Sequence, residues 1–297
     1  MTLSLHYFAD QAEPAIRLAQ QMNCPVQEIM THNFPDGEVK VTVTVAAVTE
    51  TILLYTSLDH PNGRLINLAL AASALRDNGA RRIVLVAPYL CYMRQDMAFK
   101  PGEAVSQRVI GAFLAGYFDR IVTVDPHLHR TPDLQTIFPG CEADRLSATG
   151  PIAEAVRQGY DRETTLLIGP DSESRQWVDA IAGVTGLSVV IAEKIRTGDR
   201  TVTVKLPDDQ AYAGKNALIV DDVISSGMTI ARCAAALKLA GVEDIDVMAT
   251  HMLCRDQDLA QLEKSGVGWI RSTDSIVHAS NAICLAPLLA GALQKEK

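Results

Sequence analysis

Two hydrophobic periods alternate along this chain, and that alternation constrains its fold more than any other feature. Aliphatic runs of strand length occupy 51–55, 82–87, 120–124, 165–168, 187–192, 217–220 and 246–250. Stretches with helical spacing lie between them, among them 64–75, 105–114 and 230–239. A strand that reads as an unbroken apolar run is covered on both faces. Strands alternating with amphipathic helices make βαβ units. Their right-handed crossovers set the strand carboxyl ends on one edge of a mostly parallel sheet, where such sheets bind ligands. The expectation is an α/β fold whose chemistry sits in the loops that follow strands.

Those loops are polar, and they repeat. The cluster VDPHLH stands at 124–129, GPDSES at 169–174 and IVDDVISSGMT at 219–229, each behind an aliphatic strand. The chain thus reads as two similar halves, each a mostly parallel sheet flanked by helices. A length of 297 residues suits two domains at about 100–200 residues each. The region 131–148 is poor in periodicity and holds Pro132, Pro139 and Gly140, which places the junction near residue 145. The expected domains are 1–145 and 146–285. A short apolar helix at 286–293 needs a surface, and 286–297 is expected to pack on the first domain.

Charge and cysteine usage narrow the function classes. Net charge is −8 and no basic patch stands out, which argues against nucleic acid as a partner. An acidic protein can still bind polyphosphate through a few placed cations, backbone N–H groups and a metal. The six cysteines are scattered without a CxxC pair, so neither a disulfide framework nor a structural zinc site is expected. No apolar run approaches the ~20 residues of a membrane span, and MTLSLHYFAD is not a signal peptide. A cytoplasmic protein with no membrane partner is the expectation.

The strongest local signal is the segment NALIVDDVISSGMTI at 216–230. An apolar strand delivers two acids, then a loop of small residues, then a helix. Ser225, Ser226 and Thr229 offer hydroxyl donors, Gly227 allows a tight turn, and Met228 opens the helix. The helix N-terminus adds partial positive charge and free N–H groups for a phosphate. Asp221 and Asp222 would repel that phosphate but accept hydrogen bonds from vicinal sugar hydroxyls. Together these features fit a ribose 5-phosphate. The alternative is an ordinary strand–turn–helix whose Ser and Thr merely cap the helix.

This segment resembles the phosphoribosyl-binding motif of the type I phosphoribosyltransferase fold, shared by phosphoribosyltransferases and ribose-phosphate pyrophosphokinases. Further motifs in family order resemble the pyrophosphokinases, nearer their archaeal-type members. NFPDGEVK at 33–40 is similar to their FxDGE signature. The resemblance implies that this loop reaches a neighbouring subunit's active site, with Phe34 stacking on adenine and Asp36 and Glu38 making polar contacts. By itself, Pro-Asp-Gly also reads as a hairpin turn. YMRQD at 92–96 matches the family's Arg-Gln pair, which puts Arg94, Gln95 and Asp96 on the ATP side. The lid that follows carries Met97, Ala98 and Phe99, and Ala104 stands at a usual proline.

The family's magnesium-linked His falls on His127, with Asp125, His129 and Asp133 as nearby alternatives, and its second magnesium-linked acid falls on Asp171. After Asp171, Ser172, Glu173 and Ser174 stand where members show a small residue and two glycines, and Trp177 replaces an expected basic position. The family's catalytic flap cations map onto Lys194 and Arg196, which would stabilise charge on the transferring group. The implied reaction moves pyrophosphate from ATP to ribose 5-phosphate with Mg²⁺ in a homo-oligomer, at least a dimer. A phosphoribosyltransferase or a catalytically silent pyrophosphokinase-like subunit is the alternative.

Overall fold

The computed structural model describes residues 2–128, 130–131, 133–197, 201–208 and 210–297, and only the backbone of 195–197 and 201–203. Two compact units emerge. One comprises the residues up to Ser147 together with Ser275–Val277 and Leu285–Lys297; the other comprises Ala148–Asp274 and His278–Cys284.

The first unit opens with β1 (Leu3–Phe8), α1 (Ala12–Met22), β2 (Val26–Asn33), β3 (Val39–Thr42) and β4 (Thr51–Tyr55). It continues with α2 (Pro61–Asp77), β5 (Arg82–Val86), α3 (Ser106–Ala115), β6 (Arg120–Val124) and β7 (Glu142–Leu146). Its seven strands run in the order β3-β2-β1-β4-β5-β6-β7. All neighbours are parallel except the β2–β3 hairpin. Every residue of β4 and of β6 is buried, Thr51, Arg120 and Thr123 included, as expected of central strands covered on both faces. α1 stops at Asn23, whose left-handed backbone an Asn tolerates. Leu54, Leu68, Leu75, Ile83 and Leu85 belong to the core that α2 covers.

Not every strand here carries an apolar run. β2 buries only Ile29, and β7 buries none of its residues, reading Glu-Ala-Asp-Arg-Leu. Both lie toward sheet edges, where a strand faces solvent and needs little hydrophobic patterning.

The second unit runs α4 (Thr149–Gly159), β8 (Thr165–Gly169), α5 (Arg175–Thr185), β9 (Ser188–Ile191), β10 (Glu193–Thr197) and β11 (Thr201–Lys205). Then come β12 (Asn216–Ile224), α6 (Met228–Leu239), β13 (Ile245–Met252), α7 (Asp256–Lys264), β14 (Ile270–Thr273) and β15 (Asn281–Ile283). Six strands form an all-parallel sheet in the order β15-β14-β13-β12-β8-β9. β10 and β11 make a separate antiparallel hairpin. The central strands β12 and β8 pair in a register that sets Ile219 against Ile168. Asp171 and the Asp221–Asp222 pair therefore emerge at the same edge of the sheet, a few residues past that level. β12 is longer than its aliphatic run, because pairing with β13 continues to Ile224 against Met252 and takes both acids into the strand.

The chain ends in α8 (Ala286–Leu293), which packs on α1 and β7 of the first unit and buries Ala286, Leu289, Ala290 and Leu293. Among the described residues no helix is long and apolar enough to cross a membrane.

Candidate active site

In the second unit β12 ends in a loop that turns at Gly227 and opens directly into α6. Gly227 has φ +68°, and a Cβ there would sit 3.0 Å from the Leu262 side chain. Backbone conformation and packing both call for glycine. Among the described residues no side chain caps α6, so the sequence alternative of a helix capped by its own Ser or Thr does not hold. The first-turn N–H groups, unpaired within any helix, stay available to an anion. Ser225 and Ser226 are exposed beside them, Met228 is 48% exposed and Thr229 is half-buried.

The acids behind this loop are crowded. Asp222 is buried, and its N–H donates to Asp221 Oδ1 at 3.0 Å. Burial, then the neighbouring carboxylates of Asp222 and Asp171, push Asp221 well above the usual carboxylate range. Such a cluster favours hydroxyl donors or a hard cation.

Asp171 follows β8 and divides its carboxylate between two tasks. Oδ1 accepts from the N–H of Glu173 at 2.9 Å and of Ser174 at 3.3 Å. Oδ2 pairs with the ammonium of Lys194, which comes from β10. The Ser174 hydroxyl donates to the Asp171 carbonyl at 2.6 Å. Among the described residues only Asn23, Tyr92 and Asp125 are non-glycines with positive φ, so the turn at 172–174 demands no glycine. That is why Glu173 and Ser174 fit where the family motif has Gly-Gly. Trp177, at an expected basic position, lies on the buried face of α5 with Val178 and Ile181. It is part of the core and presents nothing to a phosphate. The side chain of Arg196 lies outside the described residues, as does His129.

In the first unit the loop joining β2 and β3 is a hairpin turn. The Phe34 N–H donates to Glu38 O at 2.8 Å and the Gly37 N–H to Phe34 O at 3.0 Å. Asp36 Oδ1 accepts from the Glu38 N–H at 3.1 Å. The turn consumes one Asp36 oxygen and leaves the Phe34 ring 41% exposed, edge-on to His32. Arg94 is exposed. Gln95 Oε1 accepts from the Ser106 hydroxyl at 2.6 Å. Asp96, nearly enclosed, pairs with Arg130 at 3.0 Å, and Arg130 also lies over the Phe99 ring. His127 is half-buried just beyond β6, two positions past the buried Asp125.

Sequence reasoning missed Ser174 and Leu262. The first had a signal, since Gly169 stands just ahead of Asp171 and leaves room for a neighbouring side chain. Leu262 lies 35 positions from Gly227 (262 − 227) and had none.

Residues 5–116 match the N-terminal domain of ribose phosphate pyrophosphokinase, and 146–280 match the phosphoribosyl transferase domain. The ribose-phosphate pyrophosphokinase of Thermococcus kodakarensis is 31% identical over 264 residues, covering 89% of this chain and 91% of that one. Its counterpart in Pyrococcus furiosus is 30% identical over 263 residues, with coverage of 89% and 91%. In Methanosarcina acetivorans the figures are 31% over 266 residues, covering 89% of each. The crystal structure of phosphoribosylpyrophosphate synthetase from Mycobacterium smegmatis shares the fold, with a TM-score of 0.82 at 23% identity over 100% of this chain and 99% of that one. With both domains matched in order, and relatives of this identity over nearly nine-tenths of its length, the chain belongs to the ribose-phosphate pyrophosphokinase family.

Proposed function

We propose that this chain transfers pyrophosphate from ATP to the anomeric hydroxyl of ribose 5-phosphate, with Mg²⁺, giving phosphoribosyl pyrophosphate and AMP. The observation that carries the reading is the uncapped start of α6 at Gly227, set beside the Asp221–Asp222 pair. Ser225, Ser226, Gly227, Met228 and Thr229 hold the sugar's phosphate through N–H groups and hydroxyls. Asp221 and Asp222 accept from its 2- and 3-hydroxyls. This arrangement fixes the anomeric oxygen for in-line attack on the β-phosphorus.

The donor set suits magnesium. Carboxylate oxygens are hard ligands, and the crowding that raises Asp221 is what a divalent cation relieves. Among the described residues no group of three or more His, Cys, Asp or Glu is arranged to hold a metal alone. Mg²⁺ commonly keeps waters and substrate phosphates in its shell, so one or two protein groups suffice. Asp171 would hold it in the second unit; the family resemblance also names His127, of the first unit. When bound, the ion neutralises negative charge on the phosphates.

Lys194 and Arg196 stabilise charge as AMP departs. Phe34 stacks on the adenine while Asp36, Glu38, Arg94, Gln95 and Asp96 make the polar contacts on the ATP side. Exposure of Phe34 at a hairpin tip supports delivery of that ring to a second copy, which makes a dimer the smallest competent unit. A phosphoribosyltransferase would use the same loop, but the match over 5–116 to the pyrophosphokinase N-terminal domain favours the present reading. The test is AMP formation from Mg-ATP by the purified protein. Formation that depends on added ribose 5-phosphate supports the reading, and none with active relatives as controls favours a silent subunit.

A further inference from the structure

We infer that Ser174 is a positioning residue: it locks the Asp171 turn so that one carboxylate oxygen is held by backbone and the other exchanges Lys194 for a divalent cation. The inference deepens the proposed reaction and rests on it for the purpose of the exchange.

The geometry is specific. Ser174 is fully buried, its hydroxyl donates to the Asp171 carbonyl, and its N–H joins that of Glu173 on Asp171 Oδ1. The space it fills exists because residue 169 is glycine: a Cβ there would lie 2.5 Å from Ser174 Oγ and 2.7 Å from Ile191 Cδ1. Gly169 and Ser174 therefore form a matched pair that closes the turn without left-handed backbone. Ser174 also anchors α5, since its carbonyl accepts from the N–H groups of Trp177 and Val178 at 3.1 Å. The turn is thus tied to both β8 and α5, and Asp171 Oδ1 has little freedom to rotate away.

What remains is Oδ2, which faces Lys194. The two sides of that ion pair differ in exposure, at 40% for the Lys194 side chain and 11% for Asp171. Lys194 can withdraw into solvent while the carboxylate stays in place. An ammonium and a divalent cation cannot share one oxygen at close range, because like charges repel. Lys194 leaves Oδ2 when a cation takes it, and becomes available to the charge that develops on the transferring group. Before that, the ion pair leaves neither the ammonium nor the carboxylate uncompensated in the free protein.

The probe is Mn²⁺, whose binding to the full-length protein in the presence of a saturating, non-hydrolysable ATP analogue is read by electron paramagnetic resonance. Ser174→Ala is expected to weaken Mn²⁺ binding by roughly 10–100-fold, the usual consequence of losing a group that orients a ligand. Lys194→Met, on an exposed hairpin and so safe for folding, is expected to tighten binding at least several-fold by removing the competitor. Asp171→Asn is expected to abolish the site. Ser174→Ala binding at wild-type strength, Lys194→Met binding no tighter, or Asp171→Asn binding normally would each overturn the inference. Wild-type protein that makes AMP while these comparisons stay flat loses the inference and keeps the reaction. Protein that makes no AMP loses the reaction whatever the Mn²⁺ result.

Discussion

Arg120 and Glu296 lie 176 positions apart in the chain, yet Arg120 Nη1 donates to Glu296 Oε1 at 2.9 Å, and the two side chains are 2% and 4% exposed. Arg120 begins β6, and Glu296 follows α8 at the C-terminus. Glu296 also accepts from Arg82 at 2.7 Å, and Arg120 donates to the Ala292 carbonyl at 3.0 Å. The last turn of the chain is thereby pinned to the first unit. Glu296→Gln removes one partner from each arginine, while Arg120 keeps Asp144 and Arg82 keeps Glu142. The urea midpoint should therefore fall by the equivalent of about 1–3 kcal/mol, the cost of losing hydrogen bonds to a charged group.

The same pair sets an acid limit. Burial pushes the Glu296 carboxyl up, but hydrogen bonds from Arg82 and Arg120 outweigh it and hold the group below its usual range. A folded-state value below the unfolded one gives stability that is present above the ordinary carboxylate range. That stability is lost as pH falls through the depressed value. Wild type should lose stability on acidification more steeply than Glu296→Gln, as measured by urea unfolding at a series of pH values.

Gly227→Ala tests the loop proposed to hold the sugar's phosphate. The new methyl meets both a left-handed backbone and the Leu262 side chain at 3.0 Å. The strain is of order 1–2 kcal/mol, small enough for the domain to fold. Displacing the start of α6 should raise the KM for ribose 5-phosphate at least tenfold while leaving that for ATP nearly unchanged. Steady-state kinetics with each substrate varied in turn would show this split.

Asp221 carries the opposite sign to Glu296. Its folded-state value is raised by burial and by Asp222 and Asp171, so the folded state binds the proton more tightly than the unfolded state. Ionising it therefore destabilises the fold, and stability falls as pH rises through that value. Asp221→Asn should raise the Tm of the ligand-free protein at neutral pH. It should also weaken ribose 5-phosphate binding tenfold or more, since the proposed acceptor for a sugar hydroxyl is replaced. Thermal scans with and without the sugar separate the two effects.

Trp177→Lys restores the charge type expected at that position from the family motif. Because Trp177 is 7% exposed and packs with Val178 and Ile181, the ammonium would be forced into the core. A loss of roughly 3 kcal/mol or more is expected by denaturant unfolding.

Much of the site could be read along the chain because its parts are local. The Asp221–Thr229 segment is contiguous, and an aliphatic strand followed by small residues marks where a helix begins. The buried strands β4, β6 and β8 announce themselves in the same way. β2 and β7 do not, because strands near an edge need few apolar residues. Lys194 and Asp171 are 23 positions apart, and nothing in either segment says that they meet. At Trp177 the helix phase decides: the spacing of Trp177, Val178 and Ile181 places them on one apolar face, which leaves no role for a cation there. Glu296 stands in a charged tail that reads as solvated, and only the packing of α8 buries it.

In the proposed reaction the β-phosphorus of ATP is transferred to the sugar. ATP carrying a radiolabel on that phosphorus, incubated with the protein, Mg²⁺ and ribose 5-phosphate, tests it directly. Label in phosphoribosyl pyrophosphate, with unlabelled AMP in equal amount, is the expected result. Label that stays in ADP, or appears only as free phosphate or pyrophosphate, would contradict it.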